Sequence, residues 1–487
     1  MRCWHAAAAA TDAIAHTHAP AISAGAFRLG CSLIRLLPLS LALLFALPLA
    51  FPAAAQTLPE LATRALDADP AVRATAASLR AADQRLFQAK AAFGPTANVT
   101  VTSNKSRYSE PPTYNSRGIR SDQYVLQVAQ PLWRGALYPA VQAARSQFEQ
   151  AENALMQSRL EAQQRLAEGV LEVFKARDVL AHASALREAY SEQFAAAKRA
   201  FQVGRAAAPE VREAEARVDN AVAQTLAAEA ELDLRQQVLA EIANGPTPML
   251  LQRAVAPDAL PSLRADGVLD WLSRAEVDSP SLRQARLAVE AAEAETRKAS
   301  LAHAPSVDLN ASYTHSNDNG TVTSIFPRTG NTTAVGVTLT IPIFASGATQ
   351  SKVVEALALR DKAASELDLA RRTLVIGVRQ AFVSTLSALS QAKALGTAER
   401  SQALSVRANQ RGFEVGIKTN ADVLEAQGKL FEARRDLSRA RHDAWASYFK
   451  LRALSGALND ADWQALDAQL VVHQPSEMGR ARDRSGS

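Results

Sequence analysis

Residues 306–315 read SVDLNASYTH, and apolar and polar side chains alternate along this stretch without a break. Val307, Leu309, Ala311 and Tyr313 form the apolar set, and Asp, Asn, Ser and Thr fill the positions between them. Strict alternation with a period of two predicts a β-strand with one apolar and one polar face. Most of the remaining chain consists of Ala-, Glu-, Arg-, Gln- and Leu-rich runs, which favour long helices.

Three other stretches have the same two-faced character: NVTVTSN from Asn98, YVLQVAQPLW at 124–133 and VGVTLTIPIF at 335–344. In the last of these, one face carries Val335, Val337, Leu339, Ile341 and Ile343. Strands of about ten residues with an apolar face opposite Thr, Asn and Gln fit a transmembrane β-barrel, with lipid outside and water inside. A half-buried sheet of a soluble protein is the alternative.

The first 55 residues favour the membrane interpretation. Arg28 and Arg35 precede the apolar run LLPLSLALLFALPLAFPAAAQ, which ends in three alanines before Gln56. This order predicts a secretory signal peptide over residues 1–55. Both cysteines, Cys3 and Cys31, fall inside it, so we expect no disulfide in the mature chain. No later segment is expected to reach the roughly 20 apolar residues of a spanning helix.

The mature chain is a tandem duplication. FQVG at 201–204 recurs as FEVG at 413–416, and DADPAVR at 67–73 recurs as VDSPSLR at 277–283. Ordered matches of this kind identify an internal repeat. The predicted organisation is a first repeat at 56–245, a connector at 246–275, a second repeat at 276–457 and a closing segment with a flexible tail at 458–487.

Long helical patterns accompany the strands in each repeat. We expect helices over about 58–92, 138–203 and 348–415, and each of the last two would be on the order of 100 Å long at about 1.5 Å per residue. The second carries two apolar seams: Ala162, Leu166, Gly169, Val173, Ala176, Leu180 and Ala183 on one face, and Leu160, Ala167, Leu171 and Phe174 on another. Two seams predict helical neighbours on both sides, as in a closed wall of helices.

The strand count requires assembly. Four strands per chain cannot close a barrel, because bacterial barrels begin at about eight strands. Any number of copies gives an even total, so the residues alone leave the number of subunits open.

The stretch FEVGIKTNADVLEAQGKLFEARRDLSRARHDAWASYFKLRALSGAL at 413–458, followed by LNDADWQALDAQL at 458–470, resembles the TolC family of outer-membrane channel-tunnel proteins. The resemblance implies an α+β membrane protein, in which a homotrimer forms a twelve-stranded β-barrel continuous with a periplasmic α-helical barrel. It also implies a periplasmic adaptor and an inner-membrane ABC transporter, or alternatively a proton-driven pump, as partners.

The resemblance further implies a periplasmic entrance gate near the two helical tips. The matching residues are Phe413, Lys418, Asp422, Glu425 and Glu210, and Gly204 and Gly416 mark the tip turns. Phe413 lacks the hydroxyl of the family's tyrosine, and Lys418 cannot make the bidentate contacts of the family's arginine.

Asp422 and Glu425 have a simpler interpretation as helix-start residues. Acidic side chains are stabilised by the dipole of a helix N-terminus, and Asn420 is a candidate cap. In a trimer, however, six carboxylates would converge on one axis, attract cations and raise one another's pKa.

Three functions remain open at this stage. The resemblance favours an exit duct for type I secretion of a protein toxin of the calcium-binding repeat class. An outer-membrane component of a drug or metal efflux pump is the alternative, and a trimeric coiled-coil surface adhesin is the alternative of another class. Interspersed charges disfavour nucleic-acid binding. The sequence lacks P-loop, GxSxG and HExxH motifs, so we expect no enzyme, cofactor or metal site.

We expect the mature chain to begin near Gln56, because the alanine triplet is the small-residue pattern of a cleavage site. N-terminal sequencing of protein extracted from the outer-membrane fraction checks this. An N-terminus that retains the run at 36–52 would show that the segment is an anchor rather than a leader.

Overall fold

The computed structural model describes residues 57–110, 115–204, 206–245, 253–256, 259–263, 267–320 and 326–472. The predicted signal peptide, both cysteines, Gln56 and the tail from residue 473 lie outside the described residues. So do residues 246–252, 257–258 and 264–266 of the predicted connector and the loop residues 111–114 and 321–325.

Each repeat consists of two helices, then two long strands, then two more helices, in the same order. The helices are α1 (Leu58–Ala68), α2 (Pro70–Ala91), α3 (Leu137–Gln202), α4 (Ala208–Ile242), α5 (Val268–Asp278), α6 (Pro280–Ser300), α7 (Ala348–Glu414), α8 (Asn420–Leu454) and α9 (Asp460–Asp467). The strands are β1 (Thr96–Glu110), β2 (Asn115–Arg134), β3 (Arg253–Val255), β4 (Ser306–Asp318), β5 (Arg328–Thr340) and β6 (Leu470–Val472).

The four long strands form one antiparallel sheet in the order β1-β2-β4-β5, so each repeat contributes one neighbouring pair. The register joins the apolar faces predicted from the alternation: Leu126 is opposite both Val99 and Tyr313, and Leu309 is opposite Val337. Side chains directly opposite each other lie on the same face of a sheet. The apolar residues therefore form one continuous face across four strands.

The other face is polar and makes its own contacts. Arg134 donates two hydrogen bonds to the Asp308 carboxylate, at 2.8 and 2.9 Å, across the β2–β4 pair. The Asn310 side-chain amide donates to the Thr338 hydroxyl at 3.1 Å across the β4–β5 pair. Bidentate and cross-strand contacts of this kind fix the register while leaving the face suited to water.

The strands differ from prediction in length. They span 13 to 20 residues instead of about ten, and β5 ends at Thr340. Ile341 and Ile343 consequently lie beyond the strand, whereas Val335, Val337 and Leu339 lie within it. Pro342 explains this end, because proline has no N–H to donate to a ladder.

The two longest predicted helices are confirmed as α3 and α7. The single helix expected over 58–92 is wrong, because the chain breaks between α1 and α2. Asp69 caps α2 by accepting hydrogen bonds from the N–H groups of Ala71 and Val72, at 2.8 and 3.0 Å, and Pro70 is the first helical residue. Proline fits that first position but disrupts a helix interior.

The second repeat has the same break, between α5 and α6 at Ser279-Pro280. The repeated DADP and VDSP motifs therefore encode a helix start in both halves. Helix α5 begins at Val268, inside the expected connector.

The long helices pack side by side in a single row, and the order of helices in this row differs between its two ends. Near the two helical turns the order of contacting helices is α4-α3-α8-α7, and nearer the sheet it is α2-α3-α6-α7. The two seams of α3 are buried between these neighbours, with Leu166 and Val173 in one and Ala167 and Phe174 in the other. The prediction of helical neighbours on both sides of α3 is confirmed.

The largest core lies where the short helices α1 and α9 cover α3 and α8. Trp463 is fully buried and its ring centroid lies 5.1 Å from that of Phe449. Asp462 accepts hydrogen bonds from Arg452 and from the Tyr448 hydroxyl, at 3.0 and 3.2 Å. Strand β6 pairs with β3, so the closing segment and the connector are held together.

Helix α7 contradicts one sequence expectation. It contains an 18-residue window of mean hydropathy 1.3, apolar enough by length and composition to cross a membrane. Only 28% of this window is buried within the chain. Val378 and Ala381 are buried, whereas Ile376 and Val383 are exposed, so the hydropathy reflects apolar side chains on two faces of one helix.

The sheet makes a testable prediction about its two faces. Leu309→Arg near the bilayer centre should cost roughly 2–4 kcal/mol and impair assembly, because the charge would meet lipid. Asn310→Arg, one residue away on the polar face, should assemble and change only conductance. Heat-modifiable mobility of the oligomer and single-channel recording measure the two effects. Equal damage from both substitutions would contradict the assignment of the faces.

Candidate functional site

Two helical hairpins end in tight turns that carry the predicted gate residues. The α3–α4 turn contains Gly204 with φ of 75°, and the α7–α8 turn contains Gly416 with φ of 80°. Both backbones are in the left-handed region that favours glycine. In the second turn the N–H groups of Ile417 and Lys418 both donate to the carbonyl of Gly412, at 2.8 and 3.0 Å.

A capping box begins α8 at the second tip. The Thr419 hydroxyl accepts from the Asp422 N–H at 3.2 Å, and the Asp422 carboxylate accepts from the Thr419 N–H at 2.9 Å. Two helix-terminal groups are thus satisfied reciprocally. The hydrogen bond from the Thr419 backbone N–H lowers the pKa of Asp422 below its ordinary value. The prediction of Asn420 as the cap is wrong, since Thr419 takes that position and Asn420 is buried.

Lys418 lies within its own turn. Its Nζ is 3.9 Å from the Asp422 carboxylate, and its stem packs over Gly412, where an added Cβ would lie 2.8 Å from the lysine Cγ. Phe413 lies in the last turn of α7 and is partly exposed. In the single chain, Lys418 therefore links α7 to α8 across the turn, and a role in tying the closed state stays a prediction.

Glu425 lies less than one turn after Asp422 and has its own partner. The Lys429 ammonium lies 2.6 Å from the Glu425 carboxylate, and this hydrogen bond lowers the pKa of Glu425. The neighbouring charge of Asp422 acts in the opposite direction. Within the single chain the pKa of Asp422 and the pKa of Glu425 are both lowered. The raised pKa values expected for six converging carboxylates concern the assembled trimer.

The first tip is built differently. Helix α4 begins after Ala207, which offers no capping side chain, and Glu210 lies in its exposed first turn. The Glu210 N–H donates to the Ala207 carbonyl at 3.1 Å. Among the contacts of the described residues, none joins Glu210 or Phe413 to the pair Asp422 and Glu425. Within one chain the gate residues therefore lie on two tips, which are joined by an apolar cluster that includes Ala214 of α4 and Leu424 of α8.

A buried cluster of polar side chains joins the two hairpins at a distance from the tips. The Asp178 carboxylate of α3 accepts hydrogen bonds from Ser438 Oγ and His442 Nε2 of α8, at 2.7 and 3.0 Å. His442 is 3% exposed. Burial by itself would raise the pKa of Asp178, but the bond and charge of His442 outweigh it and the pKa is lowered.

A second polar link lies closer to the tips, where the Tyr190 hydroxyl of α3 donates to the Leu424 carbonyl of α8 at 3.3 Å. Sequence reasoning missed both links. The only available signal was the place of His442 between Ser438 and Trp445 on a buried face of α8. In the part of the chain that is described, no group of three or more His, Cys, Asp or Glu residues is clustered so that it could hold a metal ion.

The model of the outer membrane efflux protein family matches residues 61–245 and 271–457, which together make up most of the chain. The chain belongs to this family. The two matched stretches each contain one strand pair and one tip hairpin, so the tips described above belong to the family's repeated unit.

Several known proteins are similar over most of their length. The outer membrane protein TolC of Vibrio cholerae is 28% identical over 428 residues, which cover 86% of this chain and 94% of the relative. The alkaline protease secretion protein AprF of Pseudomonas aeruginosa is 27% identical, with 77% of each chain covered. The outer membrane efflux protein BepC of Brucella suis is 27% identical, with 88% and 91% covered.

Solved structures show the same fold. CusC, crystallised in a study of transmembrane channel formation, superposes with a TM-score of 0.72 at 18% identity, covering 82% of this chain and 92% of that one. The outer membrane protein VceC of Vibrio cholerae gives 0.68 at 19% identity, with 82% and 96% covered. The predicted α+β fold class, with four long strands in one sheet and long helices in each chain, is confirmed.

Family membership also establishes the general function and location. The protein is an outer-membrane channel for efflux or secretion that extends into the periplasm, and it is not an enzyme. The coiled-coil adhesin is thereby set aside.

The acidic pair at the second tip yields a prediction. Asp422→Asn with Glu425→Gln removes six charges from a trimer, so block of the channel by divalent or trivalent cations added on the periplasmic side should be lost. Asparagine keeps an acceptor for the Thr419 N–H, so the cap should persist. Planar-bilayer conductance measures the block.

The control for this change is Glu366→Gln with Asp368→Asn, which removes two exposed carboxylates from α7, far from the tips, and should leave the block intact. Lys418→Ala should raise the open probability without affecting the block. Unchanged block in the Asp422 and Glu425 variant would mean that these carboxylates serve only to start α8.

Proposed function

We propose that this chain is the outer-membrane exit duct of a tripartite export system, acting as a homotrimer with a periplasmic adaptor and an inner-membrane ABC transporter. The open sheet carries the proposal, because β1 and β5 each have one strand neighbour within the described residues. Unpaired backbone groups are not tolerated in lipid, so a spanning sheet must close.

The two edges are different surfaces. One edge presents β1, α2 and α4, and the other presents β5 and α7. Contact between different surfaces is heterologous and generates a ring when the rotation closes. Three copies give a closed barrel above the minimum of about eight strands.

Apolar tips support docking of an adaptor. Val203 in the first turn and Val415 and Ile417 in the second are 70%, 69% and 80% exposed. Single exposed apolar residues need no explanation, but a set concentrated at the tips of two neighbouring hairpins fits a protein contact. Glu210 lies in the first turn of α4, and Asp422 and Glu425 lie in the first two turns of α8, just after the tips, and all three are proposed to line the periplasmic entrance.

Type I secretion is the preferred transport route, with a protein toxin of the calcium-binding repeat class as cargo. Similarity to AprF, which is named for alkaline protease secretion, supports a protein cargo. Similarity to BepC, which is named as an efflux protein, supports the alternative of small-molecule efflux through a proton-driven pump.

A complementation experiment separates these routes. A host that lacks its own exit duct should secrete a calcium-binding repeat toxin when it carries this protein with the matching ABC transporter and adaptor. Toxin in the medium and the minimal inhibitory concentrations of efflux substrates are measured in parallel, and the assembly-deficient Leu309→Arg variant is the control. Restored drug resistance without secreted toxin would overturn the type I assignment in favour of the pump.

A further inference from the structure

Helix α7 carries a second apolar row that no helix in the described part of its own chain covers. Val378, Thr385, Ala392 and Val406, at seven-residue multiples, are buried on the side towards α8. On the opposite side, Ile376, Val383 and Leu404 repeat with the same period and are 64%, 62% and 63% exposed. Two heptad rows on one helix indicate two helical neighbours, and α8 is only one of them.

A row of cations runs beside this exposed seam. Arg379, Lys393, Arg400 and Arg407 are separated by multiples of seven residues, with Leu386 in the same row. Within the described part of the chain none of the four cations has an ion-pair partner, although Arg400 donates to Thr397 Oγ1 at 3.4 Å. Charges that flank an apolar seam select the partner and register of packed helices.

A cavity of about 480 Å³ opens next to this row, lined by Lys393, Thr397 and Arg400 of α7 together with Leu437 of α8. Among the described residues of its lining, Glu399 is the only one with a carboxylate, and it already pairs with Arg434 at 3.0 Å. Cations exceed anions at this position, so the cavity suits an acidic side chain.

Helix α4 carries the complementary surface at the opposite end of the helix row. Its side away from α3 presents Ala223, Leu226, Ala230 and Leu234, of which the two leucines are 60% and 51% exposed. Asp219, Glu229 and Asp233 flank this apolar strip, and none of them has an ion-pair partner among the described residues. The strip is apolar and acidic where the α7 face is apolar and basic.

The heights of the two helices match. Helix α4 rises from the first tip while α7 descends to the second, and the Asp178–His442 contact holds the two hairpins close to level. At about 1.5 Å per residue, an α7 helix beside a neighbouring α4 places Lys393 level with Glu229 and Asp233. The same alignment places Arg407 level with Asp219.

In the proposed homotrimer, where α7 of one copy lies beside α4 of the next, we propose that Lys393 meets Glu229 and Asp233 and that Arg407 meets Asp219. The inference rests on the proposed homotrimer and adds the charge pairs that set its register. A second copy is the fitting occupant because the two faces lie on the same opposite edges as the unpaired strands β5 and β1.

Charge reversal tests the pairing. The α7 variant Lys393→Glu with Arg407→Glu, and the α4 variant Asp219→Arg with Glu229→Lys and Asp233→Lys, should each dissociate from trimer to monomer at least about ten-fold faster on dilution in detergent. Combining both sets should return the rate to within about three-fold of wild type, because opposite charges face each other again. Native mass spectrometry at timed intervals measures the trimer fraction.

The control is Arg187→Glu with Lys198→Glu on α3, which makes the same charge change on exposed residues of a helix already flanked by α4 and α8. It should leave the trimer unchanged. A combined variant that fails to recover, or an α7 variant that alone has an effect, would overturn the pairing and indicate another occupant of the basic cavity. A wild-type protein that is not trimeric would instead refute the proposed homotrimer.

Discussion

Unpaired strand edges cannot be left in a lipid bilayer, and the rest of this structure depends on that constraint. Among the described residues, the sheet order β1-β2-β4-β5 gives β2 and β4 two neighbours each but leaves β1 and β5 with a partner on one side only. Closure must come from other copies of the chain. The helical rows end on the same two edges, with α7 on one edge and α2 and α4 on the other. The surfaces that a neighbouring copy would cover therefore extend from the membrane strands to the helical tips.

Polar contacts near the tips are of two kinds, those within the α7–α8 turn and those between the α3–α4 and α7–α8 hairpins. The capping box of Thr419 and Asp422 satisfies the start of α8 without any contact from the other hairpin. The two hairpins, in contrast, are joined by few polar links, chiefly the bonds that Ser438 and His442 donate to Asp178. Because the pKa of Asp178 is lowered in the fold, this link stabilises at neutral pH and weakens as the pH falls through the lowered pKa.

Local patterns predicted the elements but not all of their ends. The alternation at 306–315 correctly identified β4 and the face of Leu309, because side-chain direction in a strand follows sequence position alone. The break at Asp69-Pro70 was missed because the helical pattern continues through it, although proline at a first helical position explains it. Asn420 was taken for a cap because both Thr419 and Asn420 are good capping types, and only the backbone conformation distinguishes them.

The sequence by itself determined that the chain is duplicated, exported, built from long helices and two-faced strands, and unable to close a barrel alone, because periodicity and strand count are properties of contiguous residues. Tertiary structure decided which surfaces are left uncovered and which polar groups are buried. Only the helix order α4-α3-α8-α7 makes α4 and α7 the outer members of the row. Likewise, Asp178 and His442 meet because α3 packs on α8, a contact between residues more than 250 positions apart that no local pattern encodes.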